Sequence, residues 1–167
     1  MRLVIIPLEP RLHDRQGFTC GVVSLDTYLK QQAGQHQRDG IATTHVLADE
    51  DAPTRILGYV TLAAAQMELD AMRPADRKRL PHYPVPAVRM GRLAVATSER
   101  GQGYGQWLLG HAVNVSLRLR QQLGVRVLLV DALDAKVAGF YRAFGFRPTT
   151  TQALTLYLPI GNHRNEK

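Results

Sequence analysis

The run from Val88 to Leu119 constrains this chain more than any other stretch: an apolar segment VRMGRLAV, a turn ATSERGQGYG, and then QWLLGHAVNVSLRL. Val88, Met90, Leu93 and Val95 supply the apolar positions of a strand, and the Gly91-Arg92 pair among them suits a bulge or a splay in the ladder. Leu108, Ala112, Val115 and Leu119 recur at helical spacing and predict one buried stripe. Between strand and helix, Gly101, Gly103 and Gly105 let the backbone turn sharply with its N–H groups bare at the positive end of the helix, which makes a cradle for phosphate. The two standard phosphate loops are not matched. A P-loop needs lysine and then Ser or Thr after its last glycine, whereas Gly105 is followed by Gln106-Trp107. The dinucleotide fingerprint belongs near the first strand, and this loop lies past the middle of the chain.

A second motif follows. Val125 to Val130, VRVLLV, is short, rich in β-branched residues and apolar on both faces, as a central strand should be. Asp134 then stands where it would cap a helix whose apolar positions are Val137, Phe140 or Tyr141, and Phe144. Gly145 supplies a left-handed stop and Phe146 packs back.

Arg100-Gly101-Gln102-Gly103-Tyr104-Gly105 resembles the Arg/Gln-x-x-Gly-x-Gly pyrophosphate loop of the GNAT N-acetyltransferases. FYRAFGF, from Phe140 to Phe146, resembles that family's Phe-Tyr-x-x-x-Gly-Phe helix end, and the two motifs stand in the order and at the distance the family requires. The resemblance covers about residues 3 to 160 and implies one α/β (α+β mixed) domain over residues 1–167, a central mixed, mostly antiparallel sheet flanked by helices. It also implies that the loop from Arg100 through Gly105 holds the pyrophosphate of acetyl-CoA. The backbone of Leu93, Ala94 and Val95 would lie along the pantetheine arm near the thioester carbonyl, and Tyr141 would face the coenzyme sulfur. Asp134 occupies the place of an asparagine that often contacts pantetheine; as a carboxylate it accepts hydrogen bonds and does not donate them.

The remaining chain reads in order as a strand over Leu3 to Ile6, a helix capped by Ser24 with Leu25, Tyr28 and Leu29 buried, and strands over Ala42 to Leu47 and Ile56 to Met67. His45 reads as a structural histidine. Asp70 to Pro86 forms a basic loop in which Pro81, Pro84 and Pro86 oppose regular structure, TQALTLYLPI closes the sheet, and HRNEK frays. The opening MRLVIIPLEP is too short and wrongly flanked for a signal peptide, and no apolar run would span a bilayer, so a cytoplasmic protein is expected. A single cysteine excludes a disulfide framework and a cysteine-rich zinc site, and no metal is expected.

Phe18, Cys20, Gly21, Leu25-Asp26 and Tyr28-Leu29, with Ala33 and Gln35 beyond them, resemble the N-terminal signature of one GNAT branch, the acetyltransferase toxins of bacterial toxin–antitoxin pairs. That branch acetylates the α-amino group of aminoacyl-tRNA, blocking translation, and is paired with a ribbon-helix-helix antitoxin; a homodimer is implied as well. The formal net charge of +7 agrees with a polyanionic partner. Arg73, Arg77, Lys78 and Arg79 crowd the basic loop, and with Arg89 and Arg92 on the coenzyme strand they are the candidates for acceptor-stem phosphates.

The chemistry needs a neutral amine, an oxyanion site and an acid for the departing thiolate. Tyr141 is the candidate acid, since a phenol with a reference pKa of about 10 keeps its proton at neutral pH. VRMGRLAV carries no carboxylate, so either Glu68 or Asp70 reaches in as base or none is needed. The second case suits an α-amine, with a reference pKa of about 7.7–8.0, better than a lysine at about 10.4. Two alternatives stay open: a GNAT enzyme acting on a small amine or protein amine, and a non-catalytic coenzyme-binding module.

Overall fold

The computed structural model describes residues 1–161; the expectation for HRNEK falls outside them. The strands are β1 (Leu3–Pro7), β2 (Thr43–Asp49), β3 (Gly58–Met67), β4 (Val85–Val95), β5 (Val127–Asp131), β6 (Arg147–Pro148) and β7 (Thr155–Pro159). The helices are α1 (Val23–Gln31), α2 (Ala33–Arg38), α3 (Pro74–Arg77), α4 (Tyr104–Arg120) and α5 (Ala135–Ala143). One seven-stranded sheet runs in the order β1-β2-β3-β4-β5-β7-β6. β1 with β2, β2 with β3, β5 with β7 and β6 with β7 are antiparallel, whereas β4 and β5 are parallel. The mixed, mostly antiparallel α/β architecture is the one the sequence implied.

Parallel pairing of β4 with β5 runs from Ala87↔Val127 to Met90↔Val130 and ends there, while β4 continues to Val95. β5 itself ends one residue after Val130, at Asp131. On the other side, Gly58 meets the Ala94 carbonyl and Thr61 lies against Gly91, so β3 and β4 run in opposite directions.

The chain divides into two compact units, Met1–Ala63 with Gly91–Ala112, and Ala64–Met90 with the residues from Val113 onward. In the first, Leu8, Phe18, Cys20, Tyr28, Leu29, Val46, Ile56, Tyr59 and Ala94 share a buried core. In the second, Met67, Met72, Val85, Val127, Leu129 and Tyr157 do so. Burial follows the sequence period: β5 buries Val127 through Val130 on both faces, as its continuous apolar run predicts.

Local details differ from expectation for physical reasons. Ser24 lies inside α1, whose N-cap is Val22 and makes no side-chain cap bond; Asp26 instead reaches back to the Cys20 amide. On α4 the fully buried stripe is Leu108, Ala112 and Ser116 with Leu109, and Val115 and Leu119 are half-buried. On α5, Ala138 and Tyr141 are buried and Phe144 is exposed. The basic segment is not irregular throughout. Pro74 opens α3 from its first turn, where a missing N–H is harmless, and Pro86 sits within β4 and uses its carbonyl to accept from the Arg126 amide.

Candidate active site

β4 delivers the chain to a short 3-10 turn, Thr97–Glu99, then Arg100, and then the glycine turn that opens α4. The Ala96 amide donates to Leu57 at 2.9 Å and the Thr97 amide to Thr19 at 2.9 Å, fixing the exit of the strand. Gly101 and Gly103 take φ of +82° and +79°, a region costly for any residue with a Cβ. No Cβ clash would arise at Gly101, so conformation, not space, requires glycine there. Gly105 behaves differently: it lies inside α4 without a positive φ, and only two of the three glycines make the turn. The Trp107 amide donates to the Gly103 carbonyl at 3.3 Å as the helix begins, so the amides of Tyr104, Gly105 and Gln106 precede its own ladder. Bare amides, the positive end of a long helix and the exposed Arg100 guanidinium together suit a diphosphate. Tyr104 contributes only backbone, for its ring is buried and its hydroxyl donates to the Met1 sulfur at 3.4 Å.

Leu93, Ala94 and Val95 form the last part of β4, beyond its pairing with β5. Ala94 is buried, with Leu93 and Val95 half-buried. Arg92 beside them is not a free cation: its guanidinium lies 3.5 Å from the centroid of the Tyr28 ring, and the Tyr28 hydroxyl meets His36 Nδ1 at 3.0 Å.

In the second unit, α5 starts at Asp134, whose carboxylate accepts from the Val137 amide at 2.9 Å. The capping role is thus realised, and it occupies one of the two oxygens that a pantetheine contact would draw on. The helix stops at Gly145, with φ +94°, and Phe146 packs 5.6 Å from the Tyr141 ring. Tyr141 is 3% exposed. Burial lifts its pKa well above that of an ordinary phenol, and the negative charge of Asp131 adds to the effect, so the hydroxyl stays protonated. Asp131 ends β5 and forms a two-pronged ion pair with Arg89. Arg89, a candidate phosphate ligand from sequence, has its charge compensated.

The basic segment carries Arg73, Arg77, Lys78 and Arg79 at the surface, and a pocket of about 560 Å³ opens beside them. It brings Arg77, Lys78, His82 and Tyr83 together with Glu68 and Asp70. Met67 and Val85 share one core, so Glu68 and Asp70 follow a strand end that packs near the start of β4. The segment is held by Asp76, whose carboxylate accepts from Arg147 and from the Tyr157 hydroxyl, while Tyr157 in turn accepts from the Arg73 amide at 2.9 Å.

Several of these contacts had no sequence signal, because the partners lie far apart: Arg89 with Asp131, Asp76 with Tyr157, and Arg100, whose Nη2 donates to the Cys20 carbonyl at 3.0 Å. His45, expected to be structural, meets His111 Nε2 through its Nδ1 at 2.7 Å. Cys20 is buried, which pushes its thiol up to about 11, and is no nucleophile at neutral pH. Among the described residues no group of three or more His, Cys, Asp or Glu could hold a metal ion, and no helix is long and apolar enough to cross a membrane.

The sequence profile of the acetyltransferase (GNAT) domain matches residues 41–148. A tRNA-acetylating toxin of Mycobacterium tuberculosis is 31% identical, over 90% of this chain and 89% of its own length. The structure of AtaT complexed with acetyl-methionyl-tRNAfMet superposes with a TM-score of 0.88, at 31% identity and over 95% of both chains. A tyrosine-to-phenylalanine mutant of AtaT, bound to the C-terminus of the antitoxin AtaR and to acetyl-CoA, superposes with a TM-score of 0.80, at 31% identity over 94% of this chain and 92% of that one.

Proposed function

The chain belongs to the GNAT acetyltransferases, and from that premise we propose that it moves the acetyl group of acetyl-CoA to the α-amino group of an aminoacyl-tRNA, as the toxin of a toxin–antitoxin pair. One observation carries the coenzyme half of this reading: β4 outruns its pairing with β5 and leads straight into a two-glycine turn that bares the N-terminal amides of α4 beside Arg100. Likeness along the whole chain to a toxin captured with acetylated methionyl-tRNA supports the acceptor half.

In this reading the neutral α-amine attacks the thioester carbon, and backbone amides of Leu93–Val95 receive the developing oxyanion. The carbon–sulfur bond breaks, the Tyr141 hydroxyl gives its proton to the departing sulfur, and solvent takes the proton from the amide nitrogen and restores the phenol. The raised pKa of Tyr141 keeps the donor protonated until the sulfur departs. The strand segment VRMGRLAV carries no carboxylate, and none is assigned as base. That suits an α-amine, which is partly neutral already. The phosphate contacts are assigned to Arg73, Arg77, Lys78 and Arg79, whereas Arg89 and Arg92 are held by Asp131 and Tyr28. A homodimer, a ribbon-helix-helix antitoxin and a cytoplasmic site of action complete the proposal.

The test is transfer of labelled acetyl from acetyl-CoA to charged tRNA, beside uncharged tRNA, spermidine and a peptide panel. Label on charged tRNA alone is expected, and sequencing the labelled species names the target. Label on spermidine or a peptide instead would overturn the tRNA and antitoxin assignments while leaving the coenzyme site standing.

A further inference from the structure

Arg100 is exposed, and an exposed arginine loses rotamer freedom when it grips an anion. Its guanidinium is held in place by a turn eighty positions earlier in the chain. Nη2 donates to the Cys20 carbonyl at 3.0 Å. The same peptide segment is fastened from behind by Asp26: Oδ1 accepts from the Cys20 amide at 2.9 Å and Oδ2 from the Thr19 hydroxyl at 3.1 Å. It is fastened from the front by the coenzyme strand, since the Thr97 amide donates to the Thr19 carbonyl at 2.9 Å. Gly21 completes the arrangement. It takes φ of +85°, which favours glycine, and a Cβ there would stand 2.8 Å from Arg100 Nη2 and displace the guanidinium from its place on Cys20.

We propose that the Thr19–Gly21 turn, locked by Asp26, is a positioning element of the coenzyme site that presents Arg100 to the pyrophosphate of acetyl-CoA. One donor of the guanidinium is spent on Cys20 and the others stay available, in a fixed plane, for phosphate oxygens. This explains why Cys20, Gly21 and Asp26 belong together although none has a chemical group suited to acetyl transfer: Cys20 serves through its backbone, Gly21 through its missing side chain, and Asp26 as a lock. Preorganisation of this kind raises affinity by reducing the freedom lost on binding. The proposal rests on the reading that Arg100 contacts the pyrophosphate.

The experiment is acetyl-CoA binding by calorimetry and steady-state kinetics on the full chain, for Arg100→Ala, Gly21→Ala, Asp26→Ala, Asp26→Asn, and Asp26→Ala combined with Arg100→Ala. Arg100→Ala is expected to weaken acetyl-CoA binding by about tenfold or more, as loss of a charge-assisted hydrogen bond does. Gly21→Ala and Asp26→Ala should each raise the KM for acetyl-CoA roughly three- to tenfold and leave the acceptor KM unchanged. Asp26→Asn should restore most of the affinity, since its amide oxygen still accepts from the Cys20 amide. In the Arg100→Ala background, Asp26→Ala should add less than about twofold, the signature of residues acting through one another. With acetyl-pantetheine, which lacks the pyrophosphate, wild type and folded variants should perform alike. If Gly21→Ala does not fold, Asp26→Ala carries the test alone. Undiminished binding in Asp26→Ala, or full additivity with Arg100→Ala, would overturn the positioning role while Arg100 keeps its own. An unchanged affinity in Arg100→Ala would instead remove Arg100 from the coenzyme site.

Discussion

Arg89 closes a fork on Asp131, with Nε 2.7 Å from one carboxylate oxygen and Nη2 2.8 Å from the other. The pair links β4 to the end of β5 next to the last ladder position, Met90↔Val130, just where the two strands stop pairing. The sequence offers Arg89 as a phosphate ligand, and the fold also makes it a link between two strands.

Arg89→Ala should lower stability by about 1 kcal/mol, since both side chains are more than a third exposed and solvent screens the pair. That corresponds to a fall in Tm of roughly 2–4 °C. The salt dependence of tRNA binding should not change. A flatter salt slope in this variant would return Arg89 to the phosphate contacts.

Tyr141→Phe should leave the Kd for acetyl-CoA unchanged and lower kcat by about 10²–10⁴-fold, the range for loss of a positioned general acid. Single-turnover acetylation beside a binding titration checks both halves. Unaltered turnover would remove Tyr141 from the mechanism.

Reversing Arg77, Lys78 and Arg79 to glutamate should weaken tRNA binding and flatten its dependence on salt by roughly 0.7–0.9 in log–log slope for each phosphate no longer neutralised. Turnover of the bound complex should be spared. Undiminished tRNA acetylation at physiological salt would count against the basic segment as the tRNA grip.

Asp76 ties that segment to the sheet, and its titration carries a sign. Burial alone would raise its pKa, but the hydrogen bonds from Arg147 and Tyr157 outweigh burial and hold it below the ordinary aspartate value. Its stabilisation is therefore complete above the unfolded aspartate pKa of about 3.9 and is lost as pH falls through the lowered folded value. Asp76→Asn should lower Tm at neutral pH and flatten the acid limb of a Tm-against-pH curve. Limited trypsin digestion should cut after Arg77 to Arg79 sooner in this variant than in the wild type. An unchanged acid limb would mean the carboxylate is not the anchor.

Cys20 should resist iodoacetamide at neutral pH in the folded protein and react on unfolding, because burial holds its thiol near a pKa of about 11. Mass spectrometry of native and urea-treated protein reads this directly. Rapid labelling in the native state would show that the turn opens.

What the amino-acid order determined by itself was local. The alternation and β-branched content of VRVLLV, the helical spacing of Leu108 and Ala112, the Asp134 cap, the Gly145 stop and the left-handed turn at Gly101 and Gly103 all arise from residues within a few positions of one another, where sterics and periodicity act directly. The glycine turn and the helix bearing Tyr141 were legible for that reason. Tertiary structure decided what stands beside each charge. Arg89 and Arg92 read from sequence like Arg77 and Lys78, but Asp131 neutralises the first and the Tyr28 ring covers the second. A charge acts through whatever stands within a few ångströms of it, and for these residues those neighbours lie some forty to eighty positions away in the chain, where only folding brings them together.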